Sequence, residues 1–101
     1  MRSKIYLLAL LLSGVWGSAV QAADTVKGGR LYALHCISCH GGAGVKVAPG
    51  APSFERGQGL QRPDFTLMEL TRSGKNAMPA FRGLLGNQEI LDIIAYLRTL
   101  H

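Results

Sequence analysis

Cys36-Ile37-Ser38-Cys39-His40 is the stretch on which the reading of this 101-residue chain turns. Two thiols two residues apart, followed at once by a histidine, form the C-x-x-C-H pattern of a c-type haem attachment site. Each thiol can add across one vinyl group of a porphyrin, and the histidine is then held against one face of the iron. Three other chemistries compete for these residues. A structural zinc site needs four ligands, but the chain has no further cysteine and only His35 and His101 as spare imidazoles. A thioredoxin-like pair sits near a βαβ pattern, and no strand-like stretch precedes Cys36. A disulfide between residues this close in a helical segment would be strained and would close almost no loop. The haem reading leads, and it asks the rest of the chain for a second iron ligand, a pocket and a compartment.

The second ligand is sought first, because a haem iron in an electron carrier often takes Met opposite His. Residues 73–86 read as a loop, and Met78 stands in it directly before Pro79. The proline biases Met78 toward an extended backbone, which suits a side chain held out toward a metal. The rival thioether, Met68, falls inside a helical pattern and reads as packing. Met78 is therefore the candidate sixth ligand and His40 the fifth.

Around these two points the chain reads as helices and wrapping loops. Thr25–His35 is a short helix capped by Asp24 or Thr25. Its paired Gly28 and Gly29 are poor helix formers and point to a close backbone neighbour. Residues 41–59 are rich in Gly and Pro and form a loop able to wrap a flat ligand. A carbonyl near Pro49 or Pro52 is a candidate acceptor for the free N–H of His40, since metal-bound imidazoles usually fix that group. Asp64–Arg72 reads as a second helix, with Thr66 and Glu69 at capping-box spacing, Leu67, Leu70 and Thr71 inward, and Gly74 just past its end. Asn87–Leu100 is the clearest helix. Asn87 caps it, Ile90, Ile93, Ile94 and Leu97 form one face, and Asp92 and Arg98 fall on the other. Candidate pocket walls are Phe54, Leu60, Leu67, Leu70, Phe81, Leu84 and Ile94. No strand and no internal repeat is expected.

The N-terminus supplies the compartment. Met1-Arg2-Ser3-Lys4 is basic, residues 5–17 are apolar, and Ser18-Ala19-Val20-Gln21-Ala22 ends in small residues. This is the layout of a cleaved secretory signal peptide, shorter than the roughly 20 apolar residues of a membrane span. Residues 1–22 are expected to leave, and 23–101 to form one domain. Of the eleven basic residues, Arg2 and Lys4 leave with the signal; nine remain against six acidic ones, a formal charge of +3. The remaining basic residues are scattered, with no run or aromatic interleaving of the kind a nucleic-acid surface shows. A domain this small usually needs a staple. A covalent porphyrin would be one, so the chain is expected to fold poorly without it.

In this order the parts resemble a small, single-haem, class I bacterial cytochrome c of the c-551, c-552 or c-55X type. The resemblance covers Val26 to Leu100. It rests on Gly28 and Tyr32 eight and four residues before Cys36, on Cys36-x-x-Cys39-His40, on Met78-Pro79, and on Ile93-Ile94-Ala95-Tyr96-Leu97-Arg98. It implies an all-α fold of three main helices and haem-wrapping loops, with first and last helices crossing at Gly28 and Tyr32 meeting Ile93 and Tyr96. It implies one covalent haem c on Cys36 and Cys39, iron ligation by His40 and Met78, and a proline carbonyl on His40, best matched by Pro52. The function implied is one-electron transfer in the periplasm by a monomer that is not an enzyme. Its partners would be redox proteins, and Lys46, Arg72, Lys75 and Arg82 would steer acidic ones. An accessory cytochrome for maturation of another redox enzyme, or a haem protein with an open sixth site, are the alternatives. The chain departs from many members in keeping no Trp after cleavage to bond a haem propionate; Arg56, Arg62 and Arg72 are the candidate substitutes.

Overall fold

The structure, a computed structural model, describes Gly14, Trp16, Gly17 and residues 22–101. Most of the expected signal segment therefore lies outside the described residues. Among the described residues four helices follow in order: α1 (Thr25–His35), the single turn α2 (Ile37–His40), α3 (Asp64–Ser73) and α4 (Asn87–Leu97). Two 3-10 turns, Gly42–Gly44 and Phe54–Arg56, interrupt the long loop between α2 and α3. Among the described residues there is no strand beyond an isolated bridge between Lys75 and Met78, and no helix is long and apolar enough to cross a membrane.

The crossing of α1 and α4 organises the fold. Gly28 is buried there, and a Cβ at its position would overlap the backbone carbonyl of Asp92. Only a hydrogen side chain lets the two backbones meet. Gly29 faces the ring of Tyr96, which a Cβ would approach to 3.2 Å. One turn on, Tyr32 is 2% exposed, and its ring lies 5.3 Å from that of Tyr96 in a tilted pair. Ile90, Ile93, Ile94 and Leu97 of α4 are all buried beside it, with Met68 of α3 and Leu60, Phe81 and Leu85 from the loops. The apolar period of α4 thus names one continuous core face.

The helix ends show where side chains override the simple pattern. Asp24 caps α1 through Oδ1, which accepts from the amides of Val26 and Lys27 at 3.0 Å each. The expected capping box of Thr66 and Glu69 does not form. The helix α3 starts at Asp64 as expected, behind Pro63, so Thr66 is already inside its first turn and Glu69 sits 3.7 Å from Arg72 instead. In α4 the N-cap is Gly86 rather than Asn87: Glu89 Oε1 accepts from the Gly86 amide, and Asn87 Oδ1 accepts from Arg72. The helix ends at Leu97, with 3-10-type bonds from the Thr99 and Leu100 amides to Tyr96 and Leu97.

Asp92 corrects the expected outer face of α4. It is 2% exposed, because α1 crosses over it at Gly28. Its carboxylate accepts from the Asp24 amide at 2.9 Å and from Gln88 Nε2 at 3.0 Å. Those two donors satisfy a charge whose burial alone would be costly, and they tie the start of α1 to the middle of α4.

Candidate functional site

The C-x-x-C-H stretch is held by hydrogen bonds from both sides. Cys36 closes α1, its amide bonding to the Tyr32 carbonyl, and the single turn α2 then carries Cys39 and His40. Gly41 ends that turn at φ 79, and a Cβ there would overlap the Val45 carbonyl. The chain folds straight back: the amides of Val47 and Ala48 both donate to the Cys39 carbonyl, at 3.0 and 2.9 Å. The buried Tyr32 hydroxyl donates to the Gly41 carbonyl, so α1 itself fixes the exit from the motif.

His40 is half-buried, with its ring stacked on Phe54 at 4.7 Å. Its Nδ1 is buried without a hydrogen-bond partner, and burial lowers its pKa below the usual histidine value. Burial thereby favours the neutral imidazole, the form that binds metals. Cys36 and Cys39 are free thiols, the first half-buried and the second exposed. Burial, with Cys39 as a lesser cause, pushes the Cys36 thiol up to about 11.

Met78 is placed by its own loop. The Lys75 amide donates to the Met78 carbonyl at 3.1 Å and the Met78 amide to the Lys75 carbonyl at 2.9 Å. Gly74, at φ 75, lies under this turn, where a Cβ would stand 2.6 Å from the Met78 carbonyl oxygen and 2.8 Å from the Ala80 nitrogen. Gly74 was expected only to end a helix, and it also makes room for the Met78-Pro79 backbone. Amides of Phe81 and Arg82 then donate to the carbonyls of Thr71 and Arg72, docking the loop onto the end of α3.

These pieces enclose one cavity of about 760 Å³, within the size range of cofactor sites. Cys36, Cys39, His40 and Met78 all line it, although His40 and Met78 are far apart in sequence. So do Pro49 and Pro52, whose carbonyls are the candidate acceptors for the His40 Nδ1–H, although neither bonds it in this structure. Of the expected walls, Phe54, Leu60, Leu67, Leu70, Phe81 and Ile94 line it and Leu84 does not. Leu84 is 60% exposed while Leu85 is 6% exposed. The amides of both bond to the Phe81 carbonyl, and this turn sends the second leucine inward.

The cavity also has walls that sequence reasoning missed. Tyr32, Ile90, Ile93 and Leu97 line it as well as packing the core, and His35 borders it beside Phe81. For Ile90, Ile93 and Leu97 the helical period was the available signal; it marks an inward face without saying whether protein or ligand covers it. Among the three candidate arginines, Arg62 lines the cavity and Arg56 and Arg72 do not. Lys46 and Lys75 stand at it too, whereas Arg82 does not. Among the described residues no group of three or more His, Cys, Asp or Glu converges to hold a bare metal ion.

The residues present fit a covalently tethered haem. Two free thiols, an imidazole with an orphaned buried nitrogen and a thioether border one largely apolar cavity. Comparison with known proteins agrees. Residues 23–97 match the family model described as "Cytochrome C oxidase, cbb3-type, subunit III". A cytochrome c6 of Nostoc sp. is 33% identical, over 92% of this chain and 89% of its own length. A cytochrome c6 of Thermosynechococcus vestitus is 36% identical, over 88% of this chain and 80% of its own. Among solved structures, cytochrome c6 of the diatom Phaeodactylum tricornutum superposes with a TM-score of 0.64 at 30% identity, covering 76% of this chain and 93% of its own. The c-type cytochrome KustC0563 superposes with a TM-score of 0.65 at 25% identity, covering 72% of this chain and 95% of its own. This chain belongs to the cytochrome c family, as a small class I member with a single covalent c-type haem.

Proposed function

We propose that the protein is a diffusible one-electron carrier whose haem iron is held by His40 and Met78. The observation that carries this reading is the convergence of both side chains, with the two cysteines, on one cavity. The haem, when bound, supplies reversible one-electron exchange at iron. The chain does the rest. Cys36 and Cys39 tether the group through thioethers, and Phe54 packs on the His40 ring. The Pro52 carbonyl, with Pro49 as the alternative, is the acceptor that would orient the imidazole. The Lys75–Met78 bridge presents the thioether, a ligand that raises the potential. Leu60, Phe81 and Ile94 exclude water.

The setting follows from the same residues. The N-terminal pattern supports export through a cleaved signal, hence a periplasmic location. Lys46 and Lys75 at the cavity support brief docking of an acidic redox partner, steered mainly through association rate. The protein then acts as a monomer and catalyses no substrate chemistry of its own. The optical spectrum of the exported protein tests the core of this reading. A sharp reduced α band and a weak sulfur-to-iron charge-transfer band in the oxidised state are expected. The first band without the second would remove Met78 from the iron.

A further inference from the structure

Arg98 lies outside the cavity, yet its guanidinium grips the segment that forms one of the cavity's walls. Nε and one terminal nitrogen donate to Asp64 Oδ1, at 3.1 and 2.7 Å. The same terminal nitrogen donates to the Arg62 carbonyl at 3.0 Å, and the other to the Leu60 carbonyl. Three points of residues 60–64 are thus gripped by one planar fork. A planar fork of five N–H donors can do this, and a lysine ammonium, a point charge on a flexible stem, cannot.

What the fork grips matters for the site. Leu60 is 4% exposed and lines the cavity, as does Arg62, alone among the described arginines. Asp64 opens α3, whose Leu67, Leu70 and Thr71 line the cavity too. Arg98 itself directly follows α4, whose Ile90, Ile93, Ile94 and Leu97 form a further wall. The grip therefore joins two walls from outside, at the point where Arg62 stands.

We propose that Arg98 is a positioning residue for the haem pocket: it braces residues 60–64 and so holds at the cavity the Arg62 cation, which would pair with an acid group of a bound porphyrin. This rests on the haem reading above. A cation held there favours the reduced, less positive iron, and a tight wall keeps water from favouring the oxidised one. Both effects raise the midpoint potential, and loosening the brace lowers it.

The test uses holoprotein and reads the potential beside the melting temperature. Wild type must first show the c-type α band and the sulfur-to-iron band; a colourless wild type would overturn the haem reading and this proposal with it. Given a normal wild type, Arg62→Gln and Arg98→Lys should each lower the potential, while Arg56→Gln, at an arginine away from the cavity, should not. In the Arg62→Gln background, Arg98→Lys should produce less than half the shift it produces alone, since coupled residues are not additive. A fall in melting temperature with an unchanged potential, or fully additive shifts, would reduce Arg98 to a structural role and overturn the proposal. Should Arg98→Lys not yield holoprotein, Asp64→Ala decides by sign. Loss of its negative charge alone would raise the potential, whereas loss of the brace lowers it; a rise overturns the proposal.

Discussion

The α1–α4 crossing and the two loops around the cavity are built by opposite rules. At the crossing, side chains are large and apolar except where Gly28 removes one, and neighbours are buried: Tyr32, Ile90, Ile93 and Ile94 are each at most 5% exposed. In the loops, order comes from single backbone bonds and from glycines in the left-handed region, Gly41 and Gly74 among them. The crossing can hold itself together by burial, the main favourable contribution to folding. The loops add Leu60, Phe81 and Leu85 to the core, and their remaining residues mainly set positions. Tyr32 belongs to both, with its ring in the core and its hydroxyl on the Gly41 carbonyl.

Substitutions on either side of this divide test it, beginning with the largest expected effect. Gly28→Ala forces the α1 and α4 backbones apart and should cost about 3 kcal/mol, the upper range of overpacking, in urea unfolding of the holoprotein. A loss below about 1 kcal/mol would break the claim that backbones meet there. Met78→Ala should cost about 2 kcal/mol, the lower end for deleting such a side chain. It should also lower the potential and let the reduced protein bind CO, leaving the crossing intact by circular dichroism.

Tyr32→Phe removes a buried hydrogen bond and leaves the Gly41 carbonyl without it, which should cost about 1–2 kcal/mol. It carries a pH signature as well. Burial, then the neighbouring Cys36 and Tyr96, push the Tyr32 hydroxyl up to about 12, whereas an unfolded tyrosine ionises near 10. The fold favours the neutral form, so this contribution is whole below about pH 10 and is lost as pH climbs toward about 12. Melting temperatures across that window should fall less steeply in Tyr32→Phe than in wild type. Asp24→Ala should cost about 1 kcal/mol through the lost cap, seen as faster amide exchange in the first turn of α1. Leu84→Ser should change stability by less than about 0.5 kcal/mol; a larger loss would return Leu84 to the wall from which the Phe81 turn excludes it.

Much of this was legible in residue order, because the signals were local. The bounds of α1 follow from Asp24 and from the cysteine motif that ends it. The inner face of α4 follows from its period, and the haem chemistry from five consecutive residues. The place of Met78 in a loop was legible because Pro79 disfavours a helix there. What stayed hidden depended on which surfaces meet. Asp92 read as solvent-facing, since a period cannot show that another helix crosses its edge at a glycine. Leu84 and Leu85 are chemically alike, and only a turn that aims one inward tells them apart. Which of the three arginines borders the cavity, and the reach of Arg98 back to residues 60–64, need the chain closed in space. Composition and spacing determined the cofactor chemistry and the helices, because tethering and helical period act within a few residues. The folded chain alone decided which groups share the cavity, because burial and hydrogen bonding join residues that sequence keeps far apart.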